Sequence, residues 1–345
     1  MTLPADPAKA GKEPAVRFGR SVLDIDAAAT ACEIEEAIRR LIAGRLHRRG
    51  AVVAVSGGVD SAVCATLAAR ALGSQRVLGL LMPERDSAPD GTDRGKRLCE
   101  HLGIEYVIED IAAVLEALGC YRRRDEAIRK LFPEYSPGYR QKIAVAENLL
   151  GRDRLNYFNL IIESPDGRCD KKRMPLEVYL QVVAATNMKQ RTRKLLEYYH
   201  AERLNYAVLG TPNRLEYDLG FFVRGGDGLA DLKPIAHLYK TQVYSLAEYL
   251  AVPEEIRRQP PSTDTYSLPQ TQEEFYFALP YNQMDLVLYA LLHDVPADET
   301  GPALGLTAEQ VQRVYRDIAA KQRTASRLLH AALLVPDARS TAENP

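Results

Sequence analysis

Three short, mostly apolar runs, AVVAV at 51–55, RVLGLLM at 76–82 and EYVIE at 105–109, alternate with stretches of helical spacing at 61–72, 90–102 and 111–118. Runs this apolar show little of the in-out alternation of a half-solvated strand. Such strands are covered on both faces, and helices returning between them supply the cover. The alternation predicts an α/β fold built on a doubly wound parallel sheet. A further parallel strand is expected at NYAVLG, 205–210, and helices at 24–49, 176–200 and 240–250.

The rhythm stops at about Cys120. The stretch 121–175 carries RRR, Pro133 and Pro137, and then NYFNLII running into a turn at Ser164–Gly167. It reads as an insertion in which NYFNLII is a strand ending in a tight loop. Phe132, Tyr135, Tyr139, Tyr157 and Phe158 give it apolar surface to bury, unlike a disordered linker. After Pro269 the chain reads as helical, with no second parallel sheet. The expected organisation is a mobile segment at 1–23, a main unit at 24–270 containing the insertion, and a helical extension at 271–345.

Composition narrows the function classes. A formal net charge of −1 offers no basic excess for nucleic acid. No run is long enough to span a bilayer, and the N-terminus lacks the apolar core of a signal peptide. Five cysteines without a CxxC pair argue against a zinc site or a disulfide framework and fit a reducing compartment. A soluble, cytoplasmic protein is the expectation.

Between the first strand and the first helix after it stands SGGVDS, Ser56–Ser61. A glycine turn opening a helix aims backbone N–H groups at one point, and the helix end adds partial positive charge, so the turn suits phosphate. Gly57 and Gly58 allow close approach, and Ser56 and Ser61 can donate hydroxyl hydrogen bonds. Asp60 would repel phosphate unless a divalent cation lay between them. The plainer alternative makes Asp60 a helix cap in an ordinary strand-to-helix turn. The stretch matches neither GxxxxGK[ST] nor GxGxxG. Asp60 and Glu216 would lie at the carboxyl ends of two parallel strands, where open α/β sheets bind ligands. Two carboxylates and phosphate oxygens together make a magnesium site. Lys240 would offer the phosphates a point charge. Taken singly, Glu216 could be a solvated surface charge and Lys240 a helix-start lysine.

SGGVDS resembles the SGGxDS pyrophosphate loop of the ATP pyrophosphatases, which cleave ATP to AMP and pyrophosphate. The stretch from Asn187 to Val243 resembles the matching part of the ammonia-dependent NAD synthetase family. That family carries NxxxRxR, a strand ending in GT, a Glu, GFFxK, GDGxAD and a Lys. Here stand Asn187, Arg191 and Arg193; Gly210 and Thr211; Glu216; GFFVR; GDGLAD; and Lys240. With the region 51–110 and PPSTD at 260–264, the likeness covers roughly half to two-thirds of the chain. It implies an adenine nucleotide alpha hydrolase-like, Rossmann-like fold. ATP would contact Ala54, Val55, Ser56, Gly57, Gly58, Val59, Asp60, Ser61, Thr211, Lys240 and Ser262, with Mg²⁺ on Asp60 and Glu216. Deamido-NAD would lie near Asn187, Arg191, Arg193, Arg224 and Asp231. Asp60, Glu216 and Lys240 would carry the chemistry, and the protein would act as a homodimer.

The implied reaction activates the pyridine carboxylate of deamido-NAD as an acyl-adenylate, releasing pyrophosphate; ammonia then displaces AMP to leave the amide. Arg224 stands where the family has Lys, and Ser262 where it has Thr. The family's His-Lys pair near the C-terminus is absent, with Lys321 and Arg323 as candidate substitutes. The chain begins Met-Thr, which leaves no N-terminal cysteine nucleophile, and no glutaminase or nitrilase-like domain is expected. Free ammonia, or ammonia from a separate partner, is the expected nitrogen source. The alternative is a related ligase that adenylates a different carboxylate.

Overall fold

The computed structural model describes residues 18–88, 90–145, 158–261, 265–271, 273–277 and 279–332. Helix α1 (Ala27–Arg40) leads into β1 (Ala51–Ala54), α2 (Val59–Leu72), β2 (Val77–Leu81), α3 (Gly91–Leu102), β3 (Glu105–Ile108) and α4 (Ala112–Ala117). The three apolar runs thus form strands, each shortened by one or two residues. α5 (Cys120–Arg129), β4 (Arg140–Val145), β5 (Phe158–Glu163) and β6 (Cys169–Arg173) follow, and then the long helix α6 (Leu176–Leu204) and β7 (Ala207–Leu209). Helices α7 (Arg214–Leu219), α8 (Lys240–Tyr249), α9 (Glu254–Arg257), α10 (Tyr281–Leu292), α11 (Ala297–Leu304) and α12 (Ala308–Leu329) complete the described chain.

The central sheet is parallel throughout, in the order β3-β2-β1-β7. Ala51 stands opposite Val77 on one side and Ala207 on the other. Helices flank this sheet, so the molecule is an α/β, Rossmann-like fold with a helical C-terminal region. Val52, Val53, Leu78 and Val208 are at most 2 % exposed, as strands covered on both faces require. Helix α2 is apolar nearly all round, and Ala62, Val63, Ala65, Leu67 and Ala68 are wholly buried. Such a helix belongs inside a core, and its small residues let the chain pack tightly there.

The insertion carries more structure than its sequence shows. Where one strand was expected, β4, β5 and β6 form a three-stranded antiparallel sheet with β5 in the middle. Gly167, at φ +84°, supplies the left-handed residue of the β5–β6 turn, and Ser164 N–H donates to Arg168 O at 2.9 Å. Phe132, Tyr135, Ile143, Leu160 and Ile162 bury themselves against Val178 and Val182 of α6. Tyr139 and Phe158 pack partly against the same cluster, while Tyr157 lies outside the described residues. The C-terminal helices make their own core with α7, and Phe18 and Leu23, from the end of the N-terminal segment, are buried in it.

Candidate active site

The chain passes outward from β1 through β2 to β3 and then returns to β7 on the other side of β1. The loops leaving the carboxyl ends of β1 and β7 therefore diverge, and the crevice between them is where open parallel sheets hold ligands. SGGVDS leaves β1 there, and GTPNRLE leaves β7.

The first loop is built around its two serines. Ser61 Oγ accepts from Ser56 N–H at 3.3 Å and donates to Gly58 O at 2.9 Å; the two hydroxyls lie 3.2 Å apart. Gly58 N–H donates to Ser56 Oγ at 3.3 Å. Gly57 has φ +83°, and a side chain there would meet Gly91 O at 2.6 Å, so only glycine fits between this loop and α3. Val59 and Ser61 are buried behind the loop, whereas Ser56 is exposed at its rim.

Asp60 does not cap α2. The cap position is Gly58, and Asp60 is the second residue of the helix, its carboxylate turned toward the second loop. One oxygen accepts from Asn213 Nδ2 at 3.2 Å, and the other is paired with Lys240 Nζ. Asn213 in turn forms a reciprocal cap with Glu216: Glu216 N–H donates to Asn213 Oδ1 at 3.2 Å, and Asn213 N–H donates to Glu216 Oε2 at 3.1 Å. Asp60, Asn213, Glu216 and Lys240 thus converge from three elements. Burial alone would push the Lys240 ammonium down, but the carboxylates of Asp60 and Glu216 hold it above its ordinary value. Burial, with the same two carboxylates adding, pushes the Cys64 thiol well up, so it is inert core rather than a nucleophile.

Sequence reading passed over Asn213. The signal was present, since Asn followed by Glu three residues on is a helix-start pattern. Thr211 is half-buried directly after β7. Ser262 lies outside the described residues.

The residues expected around the acceptor form two groups. Asn187 and Arg191 lie one turn apart on α6, and Arg191 Nε donates to Arg224 O at 3.3 Å. Arg224 Nη2 donates to His330 O at 3.0 Å, which brings the end of the C-terminal helix to this spot. Arg193 turns away, as positions i and i+2 of a helix do, and donates to Met82 O at 3.1 Å beside β2. Asp231 accepts from Val208 N–H at 2.8 Å and from Tyr198 Oη at 3.1 Å, which fixes the GDGLAD segment against β7 and α6. Of the two candidates for the missing His-Lys pair, Lys321 is committed to Asp317 at 2.7 Å and Tyr276 O at 2.6 Å; Arg323 is exposed.

Asp60 and Glu216 are the carboxylates that could hold a divalent cation. Two carboxylates face the same ammonium, and no group of three or more His, Cys, Asp or Glu side chains gathers to hold a metal among the described residues. Hard oxygens few in number fit Mg²⁺, which keeps waters and completes its shell with substrate phosphates.

The family model described as NAD synthase matches residues 31–136 and 133–325. An NH(3)-dependent NAD(+) synthetase of Rhizobium rhizogenes is 56% identical over 313 residues, covering 91% of this chain and 94% of its own length. That of Thermotoga maritima is 38% identical over 268 residues, covering 78% and 87%. Among solved structures, an NH3-dependent NAD synthetase from Campylobacter jejuni superposes with a TM-score of 0.58 at 23% identity, covering 90% of this chain and 100% of its own. An NMN synthetase from Francisella tularensis does so at 0.62 and 21% identity, covering 90% and 99%. At these identities the two structures speak for the fold alone.

Proposed function

Because the chain belongs to the NAD synthase family, we propose that it converts deamido-NAD to NAD with ATP and ammonia, releasing AMP and pyrophosphate. The observation that carries the reading is the convergence of Asp60, Asn213, Glu216 and Lys240 at the crevice between β1 and β7.

The SGGVDS backbone and the two serine hydroxyls receive the leaving pyrophosphate. Lys240 brings its ammonium to the same phosphates, in a site dry enough for the charge to act at short range. Asp60 and Glu216 would hold Mg²⁺, which when bound neutralises phosphate charge. A pyridine carboxylate oxygen attacks the α-phosphorus, and the bond to pyrophosphate breaks. Ammonia then adds to the acyl carbon, AMP departs with the bonding electrons, and the nitrogen sheds a proton. Neither step requires a covalent bond to the protein, so the residues act by position and charge. Asn187, Arg191, Arg193, Arg224 and Asp231 would serve the acceptor, Arg193 from a different face of α6.

The proposal extends to a homodimer joined through α6. Leu176, Leu180, Leu195 and Tyr199 are 54–70 % exposed on that helix, and Val114 and Leu118 of α4 are exposed as well. Exposed apolar side chains toward both ends of one helix are what a second copy of the chain would cover. No helix among the described residues is long and apolar enough to cross a membrane, and all five cysteines are free, which suits a cytoplasmic setting.

The test is direct. With deamido-NAD, ATP, Mg²⁺ and ammonium the protein should produce NAD, AMP and pyrophosphate in equal amounts. Release of ADP and phosphate would overturn the reading. Glutamine in a preparation freed of ammonia should not replace ammonium.

A further inference from the structure

We infer that Asp285, on α10, is a positioning residue that sets Lys240 in the active site. The inference rests on the function proposed above for the placing of ATP at Lys240, and not for the identity of the acceptor.

Helix α10 is a core helix. Met284, Leu286, Val287 and Leu288, on either side of Asp285, are at most 2 % exposed, and Asp285 itself is wholly buried. A carboxylate among such neighbours is unfavourable unless its oxygens are satisfied. Here both are, by one place in the chain. Oδ1 accepts from Lys240 N–H at 3.2 Å, and Oδ2 accepts from Thr241 N–H at 2.7 Å. These are the first two residues of α8, whose N–H groups have no partner within their own helix. A negative charge there also meets the positive end of the helix.

The tether spans 45 residues where helix starts are commonly satisfied by a neighbour in sequence. The local cap of α8 is present but serves another group: Gln242 Oε1 accepts from Tyr239 N–H at 3.0 Å. Asp285 therefore takes the N–H of the very residue whose ammonium reaches Asp60. Lys240 is held at its backbone by α10 and at its tip by α2, with almost no solvent along its length. When Nζ must move between carboxylate and phosphate, the fixed end of the side chain is the one Asp285 holds. The C-terminal helical region, outside the parallel sheet, in this way contributes to the site.

Asp285→Asn and Asp285→Ala, alone and in a Lys240→Ala background, test this. Equilibrium binding of ATP with Mg²⁺ is measured below the melting temperature of each variant, together with AMP formation. Asp285→Asn, near in shape and able to accept one of the two N–H bonds, should weaken ATP binding or turnover by about tenfold, and Asp285→Ala by more, with acceptor KM unchanged. In the Lys240→Ala background the further loss should shrink to less than about twofold, because residues acting as a unit are not additive. Melting temperature should fall alike in both backgrounds. If folded Asp285→Asn binds and turns over ATP as the parent does, Asp285 only holds the helix and the inference is wrong. An equal loss in both backgrounds would also overturn it. Failure of the parent to make NAD would strike the functional proposal alone, since the ATP-binding cycle needs no acceptor.

Discussion

Lys240 keeps a positive charge in a place nearly closed to water, and its partners decide what substitution does there. Asp60→Asn or Glu216→Gln should cut turnover by at least about a hundredfold, through lost charge stabilisation at phosphate. The structure adds a separate effect on stability for Asp60. Removing one partner of a buried ion pair strands the other, at a cost on the order of 3–5 kcal/mol. The double variant Asp60→Asn, Lys240→Met should recover much of that loss in urea unfolding while turnover stays low. Asp285 gives a pH signature. Burial pushes its carboxyl up to about 6, although the Lys240 and Thr241 N–H groups favour its ionised form. The fold therefore binds a proton that the unfolded chain gives up near the ordinary 3.8. The stability it contributes is complete below that value and falls as pH rises to about 6, by on the order of 3 kcal/mol. The unfolding free energy of Asp285→Asn minus that of the parent should rise across this window and level off above it. Asp60, Glu216 and Lys240 stand out in the sequence through the motifs that resemble the family. Asp285 does not, because YNQMDLVLYALL reads as a core helix, and only packing shows what its carboxylate touches.

At the scale of elements, legibility follows burial. β1, β2 and β7 are sandwiched, so their residues had to be apolar and the sequence marks them. β6, CDKKR, is exposed along its whole length and exists as a strand only because β5 pairs with it. Its charges are what an edge strand carries to avoid pairing with other chains, and no apolar periodicity could have revealed it. The attachment of the insertion was equally hidden. Lys189 of α6, wholly buried, donates to Glu84 at 2.8 Å, to Asp86 at 2.7 Å and to Thr265 O at 2.8 Å. From α5, Tyr121 Oη donates to Glu84 at 2.8 Å and Arg124 pairs with Asp86 at 2.5 Å. Burial alone would raise the Asp86 carboxyl, but Lys189 and Arg124 hold it below its usual range. This network joins the insertion to the loop that leaves β2. Lys189→Met should strip Glu84 of its ammonium partner and leave Asp86 to Arg124, destabilising the protein by about 3–5 kcal/mol, as measured in urea. Lowering the pH through the Asp86 titration should narrow the gap between variant and parent, because the parent loses the pairing that Lys189 gives the charged form.

For the whole molecule, the proposed homodimer predicts that Leu180→Glu with Leu195→Glu yields a folded monomer by light scattering, since both side chains are exposed on α6 and neither belongs to a buried cluster. A dimer of undiminished affinity would place the interface elsewhere. The order of strands has a consequence for how such a chain is made. β1 lies in the middle of the sheet, yet its neighbour β7 is among the later parts to be synthesised: Asp60 and Asn213, which touch, are 153 residues apart. At roughly 5–20 residues per second on the ribosome, the second half of the crevice follows the first by roughly 8–30 s. During that interval β1, β2 and β3 can pair while the far side of β1 stays open, a bare apolar edge that invites other strands. A nascent chain halted near residue 200 should therefore bind chaperones strongly, and one halted past residue 250 much less.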